Sequence, residues 1–154
     1  MGLFQFYALN QEKGYPGMKA NTTLDTVDSF AAEGGIDPGE AVIRGTNPDT
    51  QVKAVAATAD ISKVIGIAVH THKDPNENGK YYEDGRSVSV MTSGDILVEV
   101  AGTVTAGGAV AMLIDDTDGP GFYASTEDDT VTIPGMTYQE SGDKGDLVTV
   151  RIRK

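Results

Sequence analysis

The 154-residue chain has no cysteine and no tryptophan, only two histidines, and 12 Lys and Arg against 23 Asp and Glu. Without cysteine there is no disulfide, no thiolate metal ligand and no thiol nucleophile, so stability has to come from packing and association. A formal net charge of −11 argues against a surface built to neutralise phosphate backbones or to rest on an anionic bilayer, since both attract basic proteins. No apolar run approaches the roughly 20 residues of a membrane-spanning helix. The start lacks the basic and apolar regions of a secretion signal, and Phe6 stands where a myristoylation signal needs Ser or Thr. The expectation is a soluble protein made in a cytoplasm, with neither nucleic acid nor membrane as partner.

Catalytic signatures are also missing. There is no G-x-S-x-G elbow, and Gly79-Lys80 is followed by Tyr81 where a phosphate-cradling loop needs Ser or Thr. Asp74-x-Asn76-x-Asn78-Gly79 matches the first half of a calcium loop, but Gly85 occupies the place of its closing bidentate Glu. His70-Thr71-His72 puts two imidazoles on one side of a strand, too few for a metal site, and reads as strand-end histidines facing solvent. Asp115-Asp116-Thr117-Asp118-Gly119 and Glu127-Asp128-Asp129 read as strand-terminating acidic loops, with no third element to orient an acid/base pair. The expectation is a protein that is not an enzyme and carries no cofactor.

What the chain does have is 19 glycines, 6 prolines and many short β-branched runs. Residues 41–44 and 51–55 flank Gly45-Thr46-Asn47-Pro48-Asp49 and predict a strand-loop-strand unit. Residues 63–70 are nearly all apolar and predict a central strand buried on both faces, with Gly66 at a bulge or a close approach of another backbone. Residues 87–91 and 95–100 alternate around Ser93-Gly94 and predict a hairpin. Further strands are expected at 109–114, 131–133, 136–140 and 147–152, whereas residues 21–38 read as loop or one brief helix anchored by Leu24, Val27 and Phe30. No internal repeat stands out. The predicted fold is all-β: a small β-barrel or β-sandwich, residues 21–154, with long loops and an extended N-terminal arm, residues 1–20.

That opening segment carries Leu3, Phe4, Phe6, Tyr7, Leu9, Tyr15 and Met18, too apolar for an idle tail. Gly14, Pro16 and Gly17 rule out a continuous helix. Two readings stand side by side: an arm that packs on a partner, or the first strand of the chain's own core. Charge is uneven as well. Residues 95–146 hold eleven acids and one base, Lys144, while Arg151, Arg153 and Lys154 make the last residues basic. The plain reading is a solvated face, although such asymmetry could steer assembly.

Read in order, several stretches resemble the structural cement, or capsid decoration, proteins of tailed phages. They are Gly14-Tyr15-Pro16-Gly17-Met18, then Ala32-Glu33-Gly34-Gly35-Ile36-x-Pro38-Gly39-x-Ala41-Val42-Ile43-Arg44-Gly45-Thr46, Gln51-Val52-Lys53 and Gly66-Ile67-Ala68-Val69. Tyr82-x-x-Gly85, Val88-Ser89-Val90-Met91-Thr92-x-Gly94-x-Ile96-x-Val98 and Leu147-Val148-Thr149-Val150-Arg151 complete the series, which spans nearly the whole chain. The resemblance implies a small β module in the virion, made in the host bacterial cytoplasm. Such a module binds the major capsid protein on the outside of an expanded icosahedral shell as a homo-oligomer, trimer ahead of dimer. With the aromatic density of the opening segment, it marks Phe4, Phe6, Tyr15 and Met18 as expected contacts to a capsid or partner subunit. The alternative is a carbohydrate-binding β module on a virion or secreted protein, which the absence of Trp and the clustering of aromatics in one arm disfavour.

Overall fold

The computed structural model describes residues 13–72, 75, 77 and 79–153. Among them the chain forms nine strands: β1 (Thr26–Ala32), β2 (Ala41–Arg44), β3 (Gln51–Ala54), β4 (Gly66–Ala68), β5 (Ser87–Glu99), β6 (Ala109–Asp115), β7 (Gly119–Ala124), β8 (Val131–Tyr138) and β9 (Leu147–Ile152). β1 runs parallel to β3 and antiparallel to β5, while β3–β2, β2–β4 and β4–β5 pair antiparallel, so five strands close into a barrel. The second sheet runs β5-β9-β8-β6-β7. It curls back until Phe122 of β7 bridges Val100, just past the end of β5, with the Ala101 N–H donating to the Phe122 carbonyl at 2.8 Å.

The fold is all-β as expected, and of the barrel and sandwich alternatives the barrel is what forms, with several strands where the alternation places them. Others differ, for reasons of pairing. Where residues 21–38 read as loop or one brief helix, β1 forms instead: Val27 and Phe30 find partners opposite Met91 and Val88, and Leu24 is fully exposed. Cross-strand bonding along β5 overrides a weak helical spacing. The hairpin expected at Ser93-Gly94 is one 13-residue strand. Its first half pairs with β1 and β4 and its second with β9, so Gly94, at φ +128°, carries the strand from one sheet to the other without reversing it. The runs at 131–133 and 136–140 likewise join into β8 across Pro134-Gly135, at the cost of a register shift against β6. β7, opening on Gly-Pro-Gly, has no clear strand signal, yet it pairs with β6 along its whole length. Only three residues of the expected central strand form β4. All three are buried, and a Cβ on Gly66 would be driven into the Met91 carbonyl, the close backbone approach that its position suggested.

The expectation of no internal repeat is also corrected, because the two rings are one motif used twice. Ile36 and Tyr82 exchange hydrogen bonds across an isolated bridge, and so do Val104 and Gly142. The N–H of Gly39 donates to the Ala68 carbonyl at 2.8 Å, and that of Gly107 to Tyr138 at 2.8 Å; both glycines sit near φ +85°. Gly85 donates to Ala32 at 2.7 Å and Gly145 to Val100 at 2.8 Å. The parallel contact Ala32↔Val52 of the first barrel reappears as Val100↔Phe122 in the second. By this correspondence the second half of β5 matches β1, β6 matches β2, β7 matches β3, and β9 matches the first half of β5. One long strand therefore closes the first barrel and opens the second.

Equivalent positions fill equivalent cores: Ala32, Ile36, Val42, Val52, Val88 and Val90 in the first, and Val100, Val104, Val110, Phe122, Val148 and Val150 in the second, all buried. Fully burying one such side chain contributes about 1.5–3 kcal/mol. The second core also takes in Ile43, Ile67 and Met91 from the outer face of the first barrel, together with Ile61 of the 3₁₀ turn Thr58–Lys63. β2 and β4 thus carry buried residues on both faces, which is why residues 41–43 and 66–68 show no polar alternation.

Candidate interaction surface

Ahead of β1 the chain lies along the second half of β5. The Gly17 N–H donates to the Leu97 carbonyl at 2.8 Å, the Leu97 N–H to Met18 at 2.9 Å and the Ala20 N–H to Asp95 at 3.0 Å, with Lys19 bridging Ile96 antiparallel. Residues 17–20 therefore add as a strand to their own barrel. The turn expected around Gly14-Gly17 forms, with the Met18 N–H bonded to the Tyr15 carbonyl at 3.1 Å. Gly17 is required there: it has φ +82°, its carbonyl accepts from the His70 N–H, and a Cβ would lie 2.7 Å from both Ala68 O and Gly39 N.

Two of the four anchors expected from the sequence, Tyr15 and Met18, are brought together by this turn, the Tyr15 N–H donating to the Met18 sulfur at 3.1 Å. Tyr15 is 58% exposed and meets the His70 ring edge-on at 5.4 Å. Phe4 and Phe6 lie outside the described residues. His70 is not the solvent-facing histidine expected. It is half-buried between Tyr15 and Tyr81, and its Nδ1 is buried without a hydrogen-bond partner among the described residues. His72 is exposed.

A polar lock ties this segment down. Asp95, 4% exposed on β5, sits opposite Arg151 of β9 and accepts from its guanidinium at 2.8 and 2.9 Å, while the Asn21 amide donates to the same carboxylate at 2.7 Å. The Arg151 guanidinium holds the Asp95 carboxyl below the usual carboxylate range, outweighing a burial that pushes the other way; Asn21 adds to the lowering. Lys19 pairs with Asp25 at 2.9 Å, and Lys13 with the Glu140 carboxylate and the Leu147 carbonyl. The sequence hinted at none of this, since Asp95 and Arg151 are far apart along the chain.

Among the described residues the large apolar side chains left exposed, Tyr15, Leu24 and Val27, all belong to residues 15–27. The acidic loops behave as turns. Asp115 accepts from the N–H groups of Thr117 and Asp118, which lower its pKa, and the Thr130 hydroxyl bonds to the Glu127 carbonyl. Among the described residues no three His, Asp or Glu side chains converge as metal ligands. Asp74, Asn76 and Asn78 of the calcium-loop match lie outside them. An open groove of about 400 Å³ runs between the barrels, lined by Pro16, Pro38, Val100, Pro120 and Phe122 with Glu99 and Lys144 also lining it. No helix among the described residues is long and apolar enough to cross a membrane.

A closed barrel that shares its strand β5 with a second sheet defines an all-β module. A family model described as structural cement protein (E217 gp24/Pam3 gp6) matches residues 4–153, and the chain belongs to this phage family. Its role is accordingly a structural one in association with capsid proteins, and its place is the virion. A chain of the capsid of Myoviridae phage XM1 has the same fold, with a TM-score of 0.70 at 18% identity over 96% of both chains. The head fiber gp8.5 N base of bacteriophage phi29 is a more distant likeness, with a TM-score of 0.43 and 13% identity over 84% of this chain and 95% of that one. No curated protein matches the sequence at a significant level.

Proposed function

We propose that the protein binds the outer face of the expanded icosahedral shell and stabilises it by bridging neighbouring major capsid protein subunits. It does so as a homo-oligomer, a trimer ahead of a dimer, with Phe4, Phe6, Tyr15 and Met18 among the contacts. The carrying observation is the family match along residues 4–153, which takes in both barrels and the segment that leads into them. Tyr15 supports the contact assignment: it is held by a backbone-bonded turn and yet presents more than half its surface to solvent. A rigidly mounted aromatic contributes contact area with little ordering cost. Many such contacts repeated over one shell add by avidity, so each can be modest.

The test is co-sedimentation of purified protein with matching expanded capsids that lack it, titrated to saturation. Binding that saturates at a stoichiometry fitting an icosahedral lattice, together with shells that withstand higher temperature when decorated, is the expected result. Absence of binding to such capsids overturns the reading.

A further inference from the structure

The internal repeat exposes a site that is filled in one barrel and empty in the other. In the second barrel the outward edge of β5 presents the backbone groups of Asp95 and Leu97, and residues 17–20 occupy it. In the first barrel the corresponding positions are Val27 and Ser29 of β1. The inner edge of β1 pairs with β5 from Val27 to Ala31, while its outer edge meets β3 only at Ala31 and Ala32. Ala31 donates toward β3, to the Thr50 carbonyl, and Ala32 toward the β5 side, to Arg86. Alternation then turns the N–H and C=O groups of Val27 and Ser29 outward. No described residue pairs with that stretch. It carries neither the proline nor the lysine that blunts an edge strand, Val27 is exposed, and Leu24 beside it is fully so.

We propose that this outer edge of β1, at Val27 and Ser29, accepts an extended strand from residues 3–9 of a second copy of the chain, added antiparallel as residues 17–20 add to β5. This deepens the proposed function, in which the opening segment contacts a partner subunit, by naming its receptor. Charge is one reason for the choice of occupant. Each chain carries a net −11, but its first ten residues bear no charged side chain, so this segment can approach another copy without adding to their mutual repulsion. Direction is the other reason. Followed backwards from Ala20 at Asp95 to Gly17 at Leu97, the chain travels away from β1 and reaches Lys13 beside Leu147, which faces Glu99 at the far end of β5. At Lys13 the described chain is thus running away from its own β1 edge, which favours a β1 of another copy as the receptor.

The test uses the full chain and a Ser29→Pro variant, which removes an outward N–H and leaves the pairs to β5 made by Asp28 and Phe30. Backbone amide exchange at Val27 and Ser29 is followed as a function of concentration, with sedimentation to report self-association. In the wild type both amides are expected to be protected when the protein is associated and to exchange freely on dilution. S29P should keep the protection of Val148 and Val150, showing a folded second barrel, and associate about tenfold or more weakly. Free exchange at Val27 and Ser29 in the associated protein, or undiminished association of folded S29P, overturns the proposal. Protection that persists in a monomer assigns the edge to the chain's own segment and overturns the choice of a second copy. Capsid co-sedimentation of S29P separates the two readings: saturable binding with β1 amides free leaves the cement reading standing and this one refuted.

Discussion

Replacing Arg151 by Met should destabilise the protein more than replacing its partner Asp95 by Asn, because the two ends of the ion pair are unequally buried. The Asp95 side chain is 3% exposed and that of Arg151 34%. R151M leaves a buried carboxylate with only the Asn21 amide, and stranding a buried charge in this way costs about 3 kcal/mol or more. For a chain of this size that lowers Tm by about 6–12 °C. D95N leaves a guanidinium that already reaches water, so its cost is smaller. The pH dependence separates the variants further. Arg151 holds the folded-state pKa of Asp95 below its unfolded value, so the pair's contribution is complete above the ordinary carboxylate range and is lost as pH falls through the folded value. In R151M the largest lowering influence is gone, so the folded value lies above that of the wild type and the wild-type advantage disappears once acid protonates Asp95. The variant's deficit is therefore largest near neutrality and shrinks as acid protonates Asp95. Urea unfolding of wild type and both variants at about pH 7 and about pH 4 measures this directly. Equal costs for D95N and R151M, or an R151M deficit that does not shrink in acid, would refute the reasoning.

Three further outcomes are expected. Gly66→Ala forces a methyl into the Met91 carbonyl and should cost about 1–3 kcal/mol, read as a lower urea midpoint with unchanged slope. Gly17→Val should release residues 14–20 without unfolding the barrels, so the Leu97 and His70 amides, bonded to Met18 and Gly17, lose exchange protection while Val148 and Val150 keep theirs. Gly107→Ala, where φ is positive but space is open, should cost only the left-handed penalty of about 1–2 kcal/mol. Its counterpart Gly39→Ala should cost more, because the new Cβ would lie 2.6 Å from Pro16 Cβ; calorimetric melts of the two variants compare them.

The all-β class and the strands with clean alternation, β2, β3, β6 and β9, were legible in the sequence because each alternates or runs apolar against a neighbour close in the chain or against a filled core. The failures share a cause. Ser93-Gly94 has the chemistry of a turn, and only the partners on either side, Thr26 for Ser93 and Ile152 for Gly94, reveal a strand that changes sheets. β7 begins on Gly-Pro-Gly and is a strand because β6 pairs with it. The repeat was hidden for a different reason. Ile36-Asp37-Pro38-Gly39-Glu40-Ala41-Val42 and Val104-Thr105-Ala106-Gly107-Gly108-Ala109-Val110 share the turn glycine and the Ala-Val that follows, but the loop lengths between matched strands differ, so no fixed period runs through the chain. Of the contact residues expected from the sequence, aromatic density points to Tyr15, whereas the β1 edge and the Asp95–Arg151 lock arise from pairings between distant residues.

The shared strand has a mechanical consequence. Two barrels joined by a flexible linker would move independently, and a contact made through one would not position the other. Here β5 belongs to both, its two halves are paired on both edges over most of their length, and the second core reaches across to Ile43, Ile67 and Met91 of the first barrel. Moving one barrel against the other would bend a buried strand and open that core, so the pair behaves as one stiff unit. On the proposed reading such stiffness is what a bridge between capsid subunits requires. Relative movement of the two shell subunits is resisted by the covalent and packed body of the bridge, and the bound state forfeits little entropy in fixing the geometry between its two ends. A substitution that loosens β5 at Gly94 without unfolding either barrel should therefore weaken shell stabilisation more than it weakens binding, and decorated-capsid melting compared with the binding isotherm separates those two effects.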